Sequence, residues 1–136
     1  MLTESREGRL NGRRVLVVED EILVGLDYCH NLEQAGAEVI GPCRTVRDAL
    51  DCVRKSRIDA AVLDYALADR NSETLQSVLE SREIPFVVIT AYPRILVRRS
   101  DNQEVLSKPI SPNELCDSVC AVCVKGQLRT TGGIAG

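Results

Sequence analysis

Short apolar runs alternate along the chain with longer segments in which apolar residues repeat at helical spacing. The apolar runs are residues 15–18, 39–40, 60–63, 86–89 and 105–106. The periodic segments are 22–32, 46–53, 75–79 and 115–122, and the first carries Ile22, Leu23, Leu26, Cys29 and Leu32. Short apolar runs favour buried strands, and apolar residues three or four positions apart favour helices that bury one face. The pattern therefore predicts strands and helices in alternation.

Two of the predicted helices have recognisable start signals. Ser111 stands three residues before Glu114, with Pro112 at the first helical position, and Thr45 stands three residues before Asp48. A Ser or Thr followed three residues later by an acidic residue is typical of a helix N-terminus. We therefore expect helices to begin directly after Thr45 and Ser111.

The predicted strands lack an alternation of apolar and polar residues, which indicates a sheet covered by helices on both faces. Connections of this length join parallel strands through right-handed crossovers. The predicted fold class is therefore α/β, a flavodoxin-like doubly wound five-stranded parallel sheet of order 2-1-3-4-5. In such a sheet ligands bind beyond the carboxyl ends of strands 1 and 3.

Length and composition limit the number of domains and the classes of partner that we expect. The chain has 136 residues, 44% of them hydrophobic, which suits one domain. We expect that domain at 13–124, between an N-terminal tail at 1–12 and a Gly-rich C-terminal tail at 125–136. The net charge of -3 argues against nucleic-acid binding. Since there is no membrane-length apolar run and no signal peptide, we expect a cytoplasmic protein with its six cysteines reduced.

Polar side chains follow four of the predicted strands. Glu19 and Asp20 come after the first, Asp64 ends the third, Thr90 ends the fourth, and Lys108 follows the fifth. Each residue alone is an ordinary loop start. Carboxylates that converge, however, must share a cation or shift their pKa values, and Mg²⁺ prefers oxygen ligands. The combination predicts a Mg²⁺ site at the carboxyl edge of the sheet.

Four segments at these strand ends together resemble the receiver domains of response regulators in two-component systems. They read Val-Leu-Val-Val-Glu19-Asp20-Glu21, Val62-Leu63-Asp64, Val88-Ile89-Thr90-Ala91 and Leu106-Ser107-Lys108-Pro109-Ile110. The resemblance covers residues 13–124. It implies that Asp64 is the phosphoacceptor and that Thr90 and Lys108 assist the reaction. The implied Mg²⁺ ligands are Glu19, Asp20, Asp64 and the backbone carbonyl of Ala66.

The resemblance also implies a place in phosphorelay signal transduction. The chain would be a phosphoprotein rather than an enzyme, and it would receive its phosphoryl group from a sensor histidine kinase or phosphotransfer protein. Because no output segment follows residue 124, we expect a stand-alone regulator that acts on a target protein by contact. Neither nucleic acid nor a membrane is an expected partner. The sequence leaves open the cognate kinase, the signal, the target, and whether the chain forms a homodimer.

Two features depart from the receiver pattern. Val105 occupies the position of the usual aromatic switch residue, three positions before the lysine, and Tyr92 is a candidate substitute. The segment between Thr90 and Lys108 is short, so the helix between the fourth and fifth strands should be short or irregular. A reduced helix in this segment, together with Pro85-Phe86, Thr90-Ala91-Tyr92-Pro93 and Lys108-Pro109, is similar to a receiver subgroup known from alphaproteobacterial signalling.

Other interpretations compete with a phosphorylated receiver. A haloacid dehalogenase-type phosphatase needs Asp-x-Asp, whereas the chain has Asp64-Tyr65-Ala66. A receiver-like interaction module without phosphorylation is the second alternative, which the missing aromatic keeps open. Cys116, Cys120 and Cys123 have the spacing of a radical-SAM iron–sulfur motif, but on a helix they share a face with apolar residues, so we expect buried packing. Whether these thiols are redox-active stays open, and the single histidine, His30, is expected at the surface.

Overall fold

The computed structural model describes residues 7–91 and 103–135. The elements are β1 (Arg14–Val18), α1 (Ile22–Gln34), β2 (Glu38–Cys43), α2 (Val46–Lys55), β3 (Ala60–Asp64), α3 (Glu73–Ser81), β4 (Phe86–Thr90), β5 (Gln103–Ser107) and α4 (Pro112–Ala135). The predicted alternation is confirmed in these ranges. The segment expected to hold a short helix, together with Tyr92, lies outside the described residues.

The strands form one parallel sheet in the order β2-β1-β3-β4-β5, which confirms the predicted flavodoxin-like fold. The register aligns the ends of neighbouring strands. Val18 pairs with Leu63 on β3, Asp64 pairs with Ile89, and Thr90 pairs with Ser107 on β5. The polar residues that follow these strands consequently meet at one edge of the sheet.

Both faces of the sheet are buried, as the absence of alternation predicts. On β1, Val15 and Val17 pack in one core cluster with residues of α1 and α4. Leu16 and Val18 point the other way and pack with residues of α2 and α3. Because apolar side chains are removed from water on both sides, the interiors of the central strands β1, β3 and β4 accept hydrophobic residues at every position.

The predicted helix starts are confirmed by their hydrogen bonds. Glu114 N–H donates to Ser111 Oγ at 3.1 Å, and Ser111 N–H donates to Glu114 Oε1 at 2.9 Å. Asp48 N–H donates to Thr45 Oγ1 at 3.1 Å. These side chains satisfy backbone groups that the first turn of a helix leaves without partners.

The structure differs from the sequence expectations at both ends of the chain. Leu10, in the expected tail at 1–12, is 1% exposed within the core, and its N–H donates to Ala35 O at 2.8 Å. The helix α4 continues to Ala135, through the segment expected as a Gly-rich tail. The segment before β1 is polar in composition, but its single buried leucine, Leu10, packs it against the domain. The division into a domain and two tails otherwise stays a prediction.

Only part of the apolar set predicted for the buried face of the first helix is buried. Ile22, Leu23 and Leu26 are 46%, 79% and 48% exposed, so assigning them to the core was wrong. Cys29 and Leu32 are buried as predicted, and the side of α1 that faces the sheet also carries Gly25, Tyr28 and Asn31. Apolar residues at the start of α1 therefore form an exposed surface next to the carboxyl edge of the sheet.

The cysteines and the histidine lie where the sequence suggests. The six cysteines are free thiols. Cys116 and Cys123 are buried against α1 and the sheet, and Cys120 is partly buried beside them. His30 is exposed on α1. In the ranges that the structure covers, no helix combines the length and apolarity that crossing a membrane requires.

Gly25 lets α1 approach β2 closely. A Cβ at this position would lie 2.9 Å from Pro42 Cβ and 3.4 Å from Glu19 Cβ. The first distance is shorter than carbon atoms tolerate, so any larger residue would push α1 away from the sheet. Since α1 begins beside Glu19, its position also affects the carboxyl edge.

We expect Gly25→Ala to destabilise the protein by about 1–2 kcal/mol, because an overpacking cost of roughly 2–3 kcal/mol at this tight contact outweighs the roughly 1 kcal/mol that alanine gains over glycine in a helix. Urea unfolding measures this difference. Gly126→Ala on α4 is the control, because its Cβ would lie at an ordinary 3.4 Å from Pro85 Cγ. That variant should be as stable as the wild type or more so; a Gly25→Ala protein of undiminished stability would contradict the close approach.

Candidate functional site

Three carboxylates meet at the carboxyl edge of the sheet, as predicted. Glu19 and Asp20 follow β1, and Asp64 is the last residue of β3. One carboxylate oxygen from each lies within 4.8 Å of the others. Glu19 is fully buried and Asp64 is 6% exposed, whereas Asp20 is partly exposed. Such proximity is unfavourable for ionised groups unless positive charge is also present.

Lys108 supplies positive charge to this cluster. Its Nζ donates to Asp64 Oδ2 at 3.1 Å and lies 3.8 Å from Glu19 Oε1. The lysine is held in place by its backbone N–H, which donates to Thr90 O at 3.0 Å. The end of β4 therefore positions the lysine that follows β5.

Glu19 is fixed by backbone contacts on both sides. Its Oε2 accepts the Glu21 N–H at 3.0 Å, and its own N–H donates to Cys43 O at 2.9 Å. Oε1 is buried, and no hydrogen-bond donor among the described residues reaches it. A buried carboxylate oxygen without a hydrogen-bond donor is costly, so Oε1 is an oxygen that a cation would stabilise.

Burial determines the proton affinities of the site. It raises the pKa of Glu19 from 4.5 to about 7, although the Glu21 N–H and Lys108 oppose the shift. Burial also raises the pKa of Asp64, while the hydrogen bond from Lys108 lowers it in part. Burial lowers the pKa of Lys108, but its bond to Asp64 and the surrounding carboxylates more than reverse this, and its net pKa is raised.

The donor set fits a hard divalent cation such as Mg²⁺. All three side chains offer carboxylate oxygens, which are the ligands that Mg²⁺ prefers, and no residue in the described ranges donates a hydrogen bond to Glu19 Oε1. Ala66, whose backbone carbonyl the resemblance implies as a further ligand, lies two residues after Asp64 and forms a bridge with Asn71. Its role as a ligand stays a prediction.

The loop after Asp64 is tied to its surroundings by contacts that the sequence did not reveal. Tyr65 N–H donates to Ile89 O at 2.9 Å, and Tyr65 Oη–H donates to Glu73 Oε2 at 2.5 Å. Asp69 Oδ1 accepts the Val46 N–H at 3.1 Å, which connects the loop to the start of α2. These partners lie 8 to 24 positions apart in the chain, so no local motif marks them.

The remaining predicted residues flank the acids. Thr90 ends β4, is 3% exposed and pairs with Ser107. Val105 lies on β5, partly buried, and pairs with Val88. The predicted substitute for the missing aromatic, Tyr92, falls in the segment that the structure does not cover.

A groove opens beside Lys108, and sequence reasoning did not identify it. Its volume is 380 Å³, and it is lined by Glu21, Leu23, Val24, Asp27, Tyr28, Lys108, Pro109 and Ile110. Burial raises the pKa of Tyr28, and the charges of Glu19 and Asp64 raise it further, which places this phenol near the acids. Tyr28 escaped notice because its helical spacing is that of any core residue.

The raised pKa of Glu19 predicts how stability changes with pH. The folded protein holds the Glu19 proton more tightly than the unfolded chain, so stability is lost as pH rises from about 4.5 to about 7. Without metal at pH 8, Glu19→Gln should therefore stabilise the protein by on the order of 1–3 kcal/mol. The difference should shrink toward pH 5, where the wild-type carboxyl is protonated. Urea unfolding with a chelator at both values measures it.

Glu33→Gln is the matched control, because it removes the same charge from an exposed position on α1. It should change stability little at either pH. If Glu19→Gln gave the same effect at pH 5 and pH 8, burial of the ionised carboxylate would not be the cause.

No family model matches the chain, but individual proteins do. The chain is similar to the transcriptional regulatory protein PdtaR of Mycobacterium tuberculosis, with 29% identity over 112 residues, 81% of this chain and 55% of that protein. It is also similar to the phyllosphere-induced regulator PhyR of Methylorubrum extorquens, with 34% identity over 103 residues, 72% of this chain and 39% of that protein. The chain thus spans about half the length of these relatives.

Solved structures agree with these sequence relatives. The response regulator PhyR from Brucella abortus superposes with a TM-score of 0.74 at 26% identity, over 96% of this chain and 54% of that one. The receiver domain of PhyR from Erythrobacter litoralis gives a TM-score of 0.74 at 24% identity, over 86% of this chain and 94% of that one, which shows the shared fold. Sequence relatives, fold and strand-end residues lead to the same assignment: the chain belongs to the response-regulator receiver domains.

Proposed function

We propose that the chain accepts a phosphoryl group on Asp64 and signals through protein contacts that depend on this modification. The observation that carries the proposal is the position of Asp64. Its carboxylate is almost fully buried, 3.1 Å from the Lys108 amine and clustered with Glu19 and Asp20. Phosphoryl transfer needs a positioned nucleophile and neutralisation of charge, and this arrangement supplies the first of these and part of the second.

The proposed donor is a phosphohistidine on a sensor kinase or phosphotransfer protein. A carboxylate oxygen of Asp64 forms a bond to phosphorus while the bond from phosphorus to the histidine nitrogen breaks. The imidazole leaves with the electron pair of that bond. Lys108 favours the ionised form of Asp64, since its hydrogen bond opposes the rise in the Asp64 pKa that burial causes.

Glu19, Asp20 and Asp64 are the side chains that would hold Mg²⁺ in this proposal. When bound, the ion supplies positive charge to the phosphoryl oxygens, as metal ions do in phosphoryl transfer generally. Lys108 adds a second positive group next to Asp64. The Thr90 hydroxyl, at the end of the neighbouring strand, would donate to a phosphoryl oxygen once Asp64 is modified.

The exposed apolar start of α1 gives the donor a surface to approach. Ile22, Leu23 and Leu26 lie at the same edge of the sheet as Asp64, and Leu23 also lines the groove beside Lys108. Exposed apolar patches of this kind are typical of protein interaction sites. We place an amphipathic helix of the phosphodonor here, because a histidine on such a helix is then directed toward the edge that carries Asp64.

Asp64→Asn should abolish phosphorylation by acetyl phosphate and Mg²⁺, because a neutral amide is not a competent nucleophile. Intact-protein mass spectrometry measures the addition, which should be one phosphoryl group per wild-type chain. Asp117→Asn, an exposed carboxylate on α4, is the control and should label normally. Normal labelling of Asp64→Asn would refute the assignment, and steady turnover of a small phosphate ester would favour a phosphatase.

Mg²⁺ should stabilise the wild-type protein, by about 2.7 kcal/mol at roughly 100 times its dissociation constant. Asp20→Asn should lose most of this gain, because it removes one of the clustered carboxylates while leaving the buried ones in place. Thermal unfolding with and without Mg²⁺ measures the effect, and Glu33→Gln should respond like the wild type. If calorimetry detects no Mg²⁺ binding to the wild type, a phosphorylation-independent interaction module becomes the better interpretation.

A further inference from the structure

Two thiols from different elements contact each other on the face of the sheet that packs against α2 and α3. Cys43 is the last residue of β2, Cys52 lies on α2, and their Sγ atoms are 3.5 Å apart. A disulfide holds its sulfur atoms about 2.05 Å apart, so closure requires the two sulfur atoms to approach by only about 1.5 Å. We propose that Cys43 and Cys52 form an oxidisable pair whose intramolecular disulfide ties β2 to α2.

The exposure of the two thiols sets the order of the reaction. Cys43 is 7% exposed, whereas Cys52 is partly exposed, so a hydroperoxide from solvent meets Cys52 first. The Cys52 sulfur forms a bond to the terminal oxygen of the hydroperoxide, the O–O bond breaks, and the alkoxide leaves as an alcohol with the Cys52 thiol proton, which gives a sulfenic acid. The Cys43 sulfur then bonds to the Cys52 sulfur, the S–O bond breaks, and water leaves with the Cys43 proton. Two thiols are oxidised, and one hydroperoxide is reduced to an alcohol and water.

The other cysteines are poorly placed to compete. Cys29, Cys116, Cys120 and Cys123 pack on the opposite face of the sheet. Cys116 and Cys120 are one turn apart on α4, where a helix holds Cβ atoms about 5–6 Å apart. A disulfide needs a Cβ separation of about 3.5–4.5 Å, so bridging them would require the helix to unwind locally.

The bridge would close a loop that contacts the acidic site. Cys43 O accepts the Glu19 N–H at 2.9 Å, at one end of this loop. Within the loop, Val46 N–H donates to Asp69, which belongs to the segment after Asp64. A disulfide between residues 43 and 52 therefore restrains the segment 43–52, which contacts Glu19 at one end and the loop after Asp64 through Val46. This inference concerns oxidation and does not depend on phosphorylation of Asp64.

The test treats the full chain with tert-butyl hydroperoxide, alkylates the remaining thiols and maps the peptides by mass spectrometry. We expect two of the six thiols to become unreactive, a mass decrease of about 2 Da and a linked peptide pair that contains Cys43 and Cys52. Hydrogen exchange at the amides of residues 44–51 should slow in the oxidised protein. A linked pair without slower exchange would overturn the claim that the bridge restrains this connection.

Two variants make the test specific. Cys52→Ala removes a partly exposed thiol, so circular dichroism should show it folded, and it should form no intramolecular disulfide. Cys120→Ala, which also removes a partly exposed thiol, should oxidise like the wild type. A disulfide that persists in Cys52→Ala, a linkage among the α4 cysteines, or oxidation of the wild type to sulfinic acid without any linked peptide would each refute the proposal.

Discussion

The contact of Lys108 with two buried carboxylates is the interaction on which the carboxyl edge depends. Its Nζ lies 3.1 Å from Asp64 Oδ2 and 3.8 Å from Glu19 Oε1. Carboxylates removed from water lose hydration, and a neighbouring cation restores only part of that free energy. The rise in the pKa of both acids shows that neutralisation is incomplete. This incomplete neutralisation of the carboxylates destabilises the site and favours additional positive charge beside them.

The parallel sheet explains why the charged groups gather at this edge. The interiors of the central strands β1, β3 and β4 are buried on both faces and carry apolar side chains, so the polar residues of these strands lie where the strands end. Parallel pairing then aligns those ends, as the pairing of Thr90 with Ser107 shows. Lys108 reaches the acids because its N–H bonds to Thr90 O, so backbone hydrogen bonding fixes the position of the cation.

Local patterns in the sequence predicted the parts of the structure that are themselves local. Apolar runs predicted the strands, and the Ser111–Glu114 spacing predicted a cap that two hydrogen bonds confirm. Apolar spacing did not separate core from surface on α1, because a residue such as Leu23 satisfies the same pattern when it is 79% exposed. The link from Asp69 to Val46 and the Cys43–Cys52 contact join residues whose proximity depends on how α2 and the loops pack, so no sequence spacing could indicate them.

The same long-range contacts determine which helices and strands would respond to a change at Asp64. The segment that follows Asp64 bonds to α3 through Tyr65 and Glu73, and to α2 through Asp69. On the other side, Lys108 connects Asp64 to the ends of β4 and β5. A phosphoryl group adds charge and strong acceptor oxygens at the centre of this network. Val105 on β5 is aliphatic, so no aromatic ring can respond there. The contacts of Lys108 and of the loop after Asp64 therefore connect a charge added at Asp64 to the neighbouring strands and helices.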